Sequence, residues 1–107
     1  MKICKNYIGI KFEWDSIKAD ANLAKHHVSF EQAMETFADP LAYSEEDEDH
    51  SWEEDRLKLI GADRVFKILL VCYCYREKNN KIRIISARKA NSQERKEYEN
   101  RNKEKHI

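Results

Sequence analysis

The stretch Ile82-Arg83-Ile84-Ile85-Ser86-Ala87-Arg88-Lys89-Ala90 carries the most pointed chemistry in this chain. Read as a regular strand, it sends Arg83 and Ile85 to one side and Ile82, Ile84 and Ser86 to the other. A guanidinium among β-branched neighbours loses part of its hydration, which costs free energy unless a carboxylate or an anion meets it. Its planar fork suits two parallel hydrogen bonds to a phosphate. Arg88 and Lys89 follow at the end of the strand, where they would clamp the same anion. An acid on the neighbouring strand or in the 45–55 segment would instead make Arg83 one half of an internal ion pair.

The histidines are poorer in pattern. His26 and His27 are adjacent, so on a helix they diverge by about 100°. With no Cys or Asp at a zinc-like spacing from them, no structural metal is expected. His50 lies in an acidic run whose carboxylates favour its protonated form, which makes it a candidate general acid. That run lacks the glycine and the alternation of an EF-hand loop. The chain has no glycine-rich phosphate loop, and neither Ser86 nor Cys4 stands in a nucleophile motif. The reading needs no cofactor.

Charge placement says more than total charge. Twenty Lys and Arg balance twenty Asp and Glu in 107 residues, so the net charge of zero gives no reason to expect a nucleic-acid or membrane partner. Resolved along the chain, residues 39–55 hold nine acids and no Lys or Arg, whereas residues 76–105 hold eleven Lys and Arg against five acids. A basic strand and helix at the C-terminal end can hold a polyanion, because the local potential sets the attraction. The plainer account is a solvated helix whose lysines and arginines pair with Glu94, Glu97 and Glu99.

The elements that position these residues follow from periodicity. The length fits a single domain, 1–107. The absence of a long apolar run and the odd number of cysteines, three, point to a reduced, cytoplasmic protein. Asp15 N-caps a helix over about 16–26 with an apolar stripe at Ile17, Ala21, Ala24 and Val28. Ser29 and Gln32 form a capping box that starts a second helix, with Phe30, Ala33, Met34, Phe37 and Ala38 inward and Asp39-Pro40 as its stop. The acidic 44–55 segment reads as a solvated loop. Strands follow at 56–60, 66–75 and 82–86, the second apolar enough to be central and the last two joined by a turn at 77–80. Asn91 and Glu94 cap a final helix over 92–105 that has only Tyr98 to anchor it. The expected fold is α+β: two N-terminal helices packed on an antiparallel sheet of about four strands, followed by a C-terminal helix.

Several blocks together resemble a known family. Phe12-Glu-Trp-Asp15, Asn22-x-x-Lys25-His26 with Val28-Ser-Phe-Glu31, Phe37-Ala-Asp-Pro40, His50 with Glu54-Asp-Arg56, and Ile82-Arg-Ile-Ile-Ser-Ala-Arg-Lys-Ala90 with Glu94-Arg95 and Tyr98-Glu99 look like the BrnT-type toxins of bacterial toxin–antitoxin pairs. The resemblance runs over about 12–99, leaving residues 1–11 as an N-terminal extension. His27 stands where the family often has glycine.

The resemblance implies a RelE-like ribonuclease fold, inhibition of translation by RNA cleavage, and neutralisation by a BrnA-like ribbon-helix-helix antitoxin through which alone the pair meets operator DNA. Attack by the RNA 2′-hydroxyl on the adjacent phosphorus needs a base, an acid and surrounding cations, and no metal. On that view Arg83, Arg88 and Lys89 form the cationic clamp, with Lys25, Arg56 and Arg95 contacting RNA. His26, His50 and Glu54 are the candidates for proton transfer, and Tyr98 with the last helix belongs to the antitoxin interface. A reading from a different class is a non-catalytic module whose basic C-terminal strand and helix hold an acidic protein or nucleic acid.

Overall fold

The computed structural model describes residues 1–48, 55–76 and 80–105. The chain opens on a hairpin of β1 (Lys2–Tyr7) and β2 (Ile10–Asp15). Its two-residue turn places Ile8 at φ 48° and Gly9 at φ 78°, and positive φ at both positions matches the twist of the flanking strands. Helices α1 (Ser16–His26) and α2 (Phe30–Glu35) follow, the latter running into a 3₁₀ turn at Thr36–Ala38. Then come β3 (Tyr43–Glu46), β4 (Arg56–Ala62), β5 (Ile68–Arg76), β6 (Lys81–Lys89) and α3 (Ser92–Lys105). The strands form one six-stranded sheet in the order β1-β2-β6-β5-β4-β3. Every pairing is antiparallel except β2 with β6, which run parallel from Lys11↔Lys81 to Glu13↔Arg83.

This corrects the expected architecture of two leading helices on a four-stranded antiparallel sheet. A hairpin precedes the first helix, and the sheet is six-stranded and mixed. The two additional strands sit at the edges, where an apolar face is least required. β1 half-buries only Ile3 and Tyr7, and its turn is Ile-Gly instead of the Asn-Gly that signals a hairpin. β3 carries Ser44, Glu45 and Glu46, all exposed, and pairs with β4 through its backbone inside the segment expected to be a loop. The parallel β2–β6 contact joins residues some seventy positions apart, which no local pattern encodes.

Helices α1 and α2 cover one face of the sheet. Phe12, Trp14, Phe30, Ala33, Leu69, Val71, Ile84 and Ala87 are buried between them. Both halves of the Ser29/Gln32 capping box form, and Phe37 packs edge-on against Phe12 and Tyr73. The α1 limits agree with the periodicity, but its inward face differs. Ile17 is 72% exposed and Ala21 and Ala24 also face solvent, whereas Asn22 is buried. The Asn22 amide donates to the carbonyls of Val28 (2.9 Å) and Ala87 (2.8 Å) and accepts from the Ala87 N–H (3.1 Å). Three buried hydrogen bonds to β6 and the interhelical link fix the rotation of the helix more tightly than a short apolar stripe does.

On the other face, α3 covers one end of the sheet. Tyr98 joins Ile60 and Leu70 in a second, smaller core, and Arg101 lies 3.9 Å above the Tyr43 ring. The Tyr98 hydroxyl donates to Asp39 Oδ2 at 2.5 Å, and that oxygen also accepts from the Ala62 N–H at 2.8 Å.

Candidate functional site

Among the described residues no helix covers the rest of this second face, at whose centre Glu13 and Cys74 are buried. Register sets one row straight across it: Cys4, Glu13, Arg83, Cys74 and Arg56, from β1, β2, β6, β5 and β4. Flanking rows place Lys81, Arg76 and Lys11 on one side and Ser86, Cys72 and Lys58 on the other. The face is therefore rich in cations around Glu13 at its centre, with Asp15 at the β1–β2 end and Glu45 and Asp47 at the β3 edge.

A bulge in β6 decides which of its side chains reach this face. Cys72 pairs with Ser86 and Tyr73 with Ile84, so Ile85 is the additional residue. One inserted residue switches the alternation. Arg83 and Arg88, five positions apart, consequently project from the same face, and Ser86 joins them instead of pointing away as regular alternation predicts.

The structure divides the expected site. Arg83 is half-buried on the open face, and among the described residues no carboxylate pairs with it. Arg56 lies in the same row. Arg88 shares the face but is engaged: its guanidinium donates twice to the Glu94 carboxylate, at 2.9 and 3.0 Å, and so fastens β6 to the start of α3. Burial works against ionisation of Glu94, but the Arg88 guanidinium and the Asn91 N–H outweigh it and hold the carboxyl below its usual range. Lys89 shares the face of Ala87, so it lies across the sheet with exposed Lys25 and half-buried His26. Arg95 is exposed on α3 and donates to the Ala90 carbonyl at 3.0 Å. Tyr98 points inward, and burial together with the Asp39 carboxylate pushes its phenol well above the ordinary range. His50 and Glu54 lie outside the described residues.

The residue that sequence reasoning missed is Glu13. It is 2% exposed and holds ion pairs from Oε1 to Lys2 Nζ (3.5 Å) and Lys81 Nζ (3.9 Å), yet Oε1 accepts no hydrogen bond. The signal was an acid between Phe12 and Trp14 on one strand: alternation that buries both aromatics under the helices must turn Glu13 to the opposite face.

Such a fold, a small mixed sheet with helices on one face and arginines and lysines across the other, defines a compact domain able to hold a polyanion against a preformed surface. The chain belongs to the BrnT family: residues 14–94 match the family described as the ribonuclease toxin, BrnT, of type II toxin–antitoxin systems. No individually curated protein matches the chain. Family membership makes it a ribonuclease toxin with an antitoxin partner, and sets aside the non-catalytic binding module. No helix among the described residues is long and apolar enough to cross a membrane.

Proposed function

We propose that this sheet face cleaves RNA by attack of a 2′-hydroxyl on its own 3′-phosphodiester, with Arg83 as the principal stabiliser of the developing phosphorane charge and Arg56, two strands away in the same row, as a further RNA contact. The reading rests on one observation above all: a half-buried guanidinium in the middle of the sheet with no carboxylate partner among the described residues. Such a group has lost hydration without gaining a counterion, and a phosphate supplies both charge and two acceptors in the right plane. Because the nucleophile is internal to the substrate, no metal-activated water is required, and fixed cations serve the role a divalent ion would otherwise take. Cleavage of this kind inhibits translation, and a ribbon-helix-helix antitoxin that also binds operator DNA neutralises it, its contacts to α3 made through the exposed side of that helix.

The test uses purified protein and a defined single-stranded RNA in EDTA. The expected products end in a 2′,3′-cyclic phosphate, and Arg83→Ala lowers the rate by about 10²- to 10³-fold, as removal of one preorganised charge stabiliser does. Full activity in a folded Arg83→Ala variant, or cleavage that stops in EDTA and returns with magnesium, refutes the assignment.

A further inference from the structure

We infer that Glu13 is the acceptor of the ribose 2′-hydroxyl and the base that takes its proton; the inference rests on the open face being the RNA-cleaving site. Three observations lead there. First, Glu13 is the carboxylate next to Arg83 in the central row, on the adjacent parallel strand, whereas Asp47 stands at the far end of that row, opposite Arg56. Neighbouring strands lie about 4.8 Å apart, which matches a phosphate on Arg83 and the 2′-oxygen of the same nucleotide on Glu13. Second, Oε1 is buried and accepts no hydrogen bond. A buried carboxylate oxygen lacking a donor costs free energy, and the 2′-hydroxyl is the donor that RNA has and DNA lacks. Third, the cations that neutralise Oε1 are displaceable. Lys2 and Lys81 approach it only as ion pairs, and the Lys2 side chain is 60% exposed. A phosphate on the face draws both ammonium groups to its own oxygens and leaves Oε1 open to the hydroxyl.

The step balances as follows. The 2′-oxygen bonds to phosphorus while its proton passes to Glu13 Oε1. The bond from phosphorus to the 5′-oxygen breaks, and that oxygen takes a proton from water, giving a 2′,3′-cyclic phosphate and a 5′-hydroxyl. Glu13 then returns its proton to the hydroxide left behind. The charged and titratable groups that face Glu13 are Lys2 and Cys4 on β1, Lys11 and Asp15 on β2, and Lys81 and Arg83 on β6. Four of them are cations.

Glu13→Gln keeps the shape of the side chain and removes the base. Its expected effect is a loss of about 10²- to 10⁴-fold in kcat, with RNA affinity retained and with loss of the acid limb that the parent shows in its rate against pH. Should Glu13→Gln fail to fold by circular dichroism, Glu13→Asp carries the test. It keeps the charge but withdraws the oxygen by about one carbon–carbon bond (~1.5 Å), so at least tenfold slower cleavage with the acid limb intact is expected. A folded Glu13→Gln that cleaves at the parental rate with the parental pH profile overturns the inference, as does a Glu13→Asp of full activity. If the parent itself cleaves no RNA, the functional reading of the face has failed, an outcome distinct from both.

Discussion

His27 closes α1 in the left-handed region, at φ 59° and ψ 28°, with its N–H donating to the Leu23 carbonyl. A residue with a Cβ pays about 1–2 kcal/mol for that conformation, and glycine escapes the clash. A glycine at this position would adopt the same backbone without that cost. His27 is exposed, so replacing it sacrifices no packing. His27→Gly is expected to stabilise the fold by about 1 kcal/mol, read as a higher urea midpoint at unchanged slope. Residue by residue, the sequence was legible where a local rule operates: Asp15 accepts from the Lys18 N–H, Asn91 and Glu94 cap α3 reciprocally, and Ser29 with Gln32 caps α2. It was opaque where chemistry depends on which side of a sheet a residue faces. The Ile85 bulge reverses alternation with no signature in composition, and Glu13 acquires its neighbours only through a pairing of strands distant in sequence.

At the scale of elements, α3 shows how few contacts dock a nearly all-polar helix. Tyr98 supplies the apolar anchor, its hydroxyl reaches Asp39, and the Arg88–Glu94 pair fixes the first turn. Because the folded state depresses the Glu94 pKa, its contribution to stability is complete above the unfolded value of about 4.3 and is lost as pH falls through the folded value. The guanidinium is more than a third exposed, so solvent screening limits the pair to about 1 kcal/mol. Glu94→Gln is expected to cost about that at pH 7 and almost nothing near pH 2, so the chemical-denaturation curves of parent and variant converge in acid. A constant gap across that window refutes the ionic account. The helices were legible as elements because each opens on a side-chain cap; the edge strands β1 and β3 were not, because a strand with one neighbour can be polar on both sides and still pair through its backbone.

At the scale of the whole molecule, a net charge of zero conceals a separation that the sheet order makes spatial. Acidic β3 forms one edge, with Glu45 opposite Lys58, while Arg83 and Lys81 stand on β6 in the sheet's interior. RNA laid on the open face therefore meets cations in the middle and repulsion at the β3 edge, which limits how far along the strand charge neutralisation extends. Arg88 is held by Glu94, whereas Arg83 has no carboxylate partner among the described residues and Lys2 and Lys81 exchange Glu13 for phosphate when RNA binds, leaving these three to meet the strand. Release of counterions from about three phosphates is the resulting expectation, and for single strands each contributes about 0.7 to the salt slope. The logarithm of the affinity of a 2′-deoxy-substituted, uncleavable oligonucleotide should thus fall with the logarithm of salt at a slope of about −2. Arg83→Ala should reduce that slope by about 0.7, since it removes one phosphate contact, whereas Lys89→Ala, across the sheet, should leave it unchanged. Equal reductions for the two variants place the bound strand somewhere other than the open face, because only a path over the end of β6 lets residues on opposite sides of the sheet touch the same backbone.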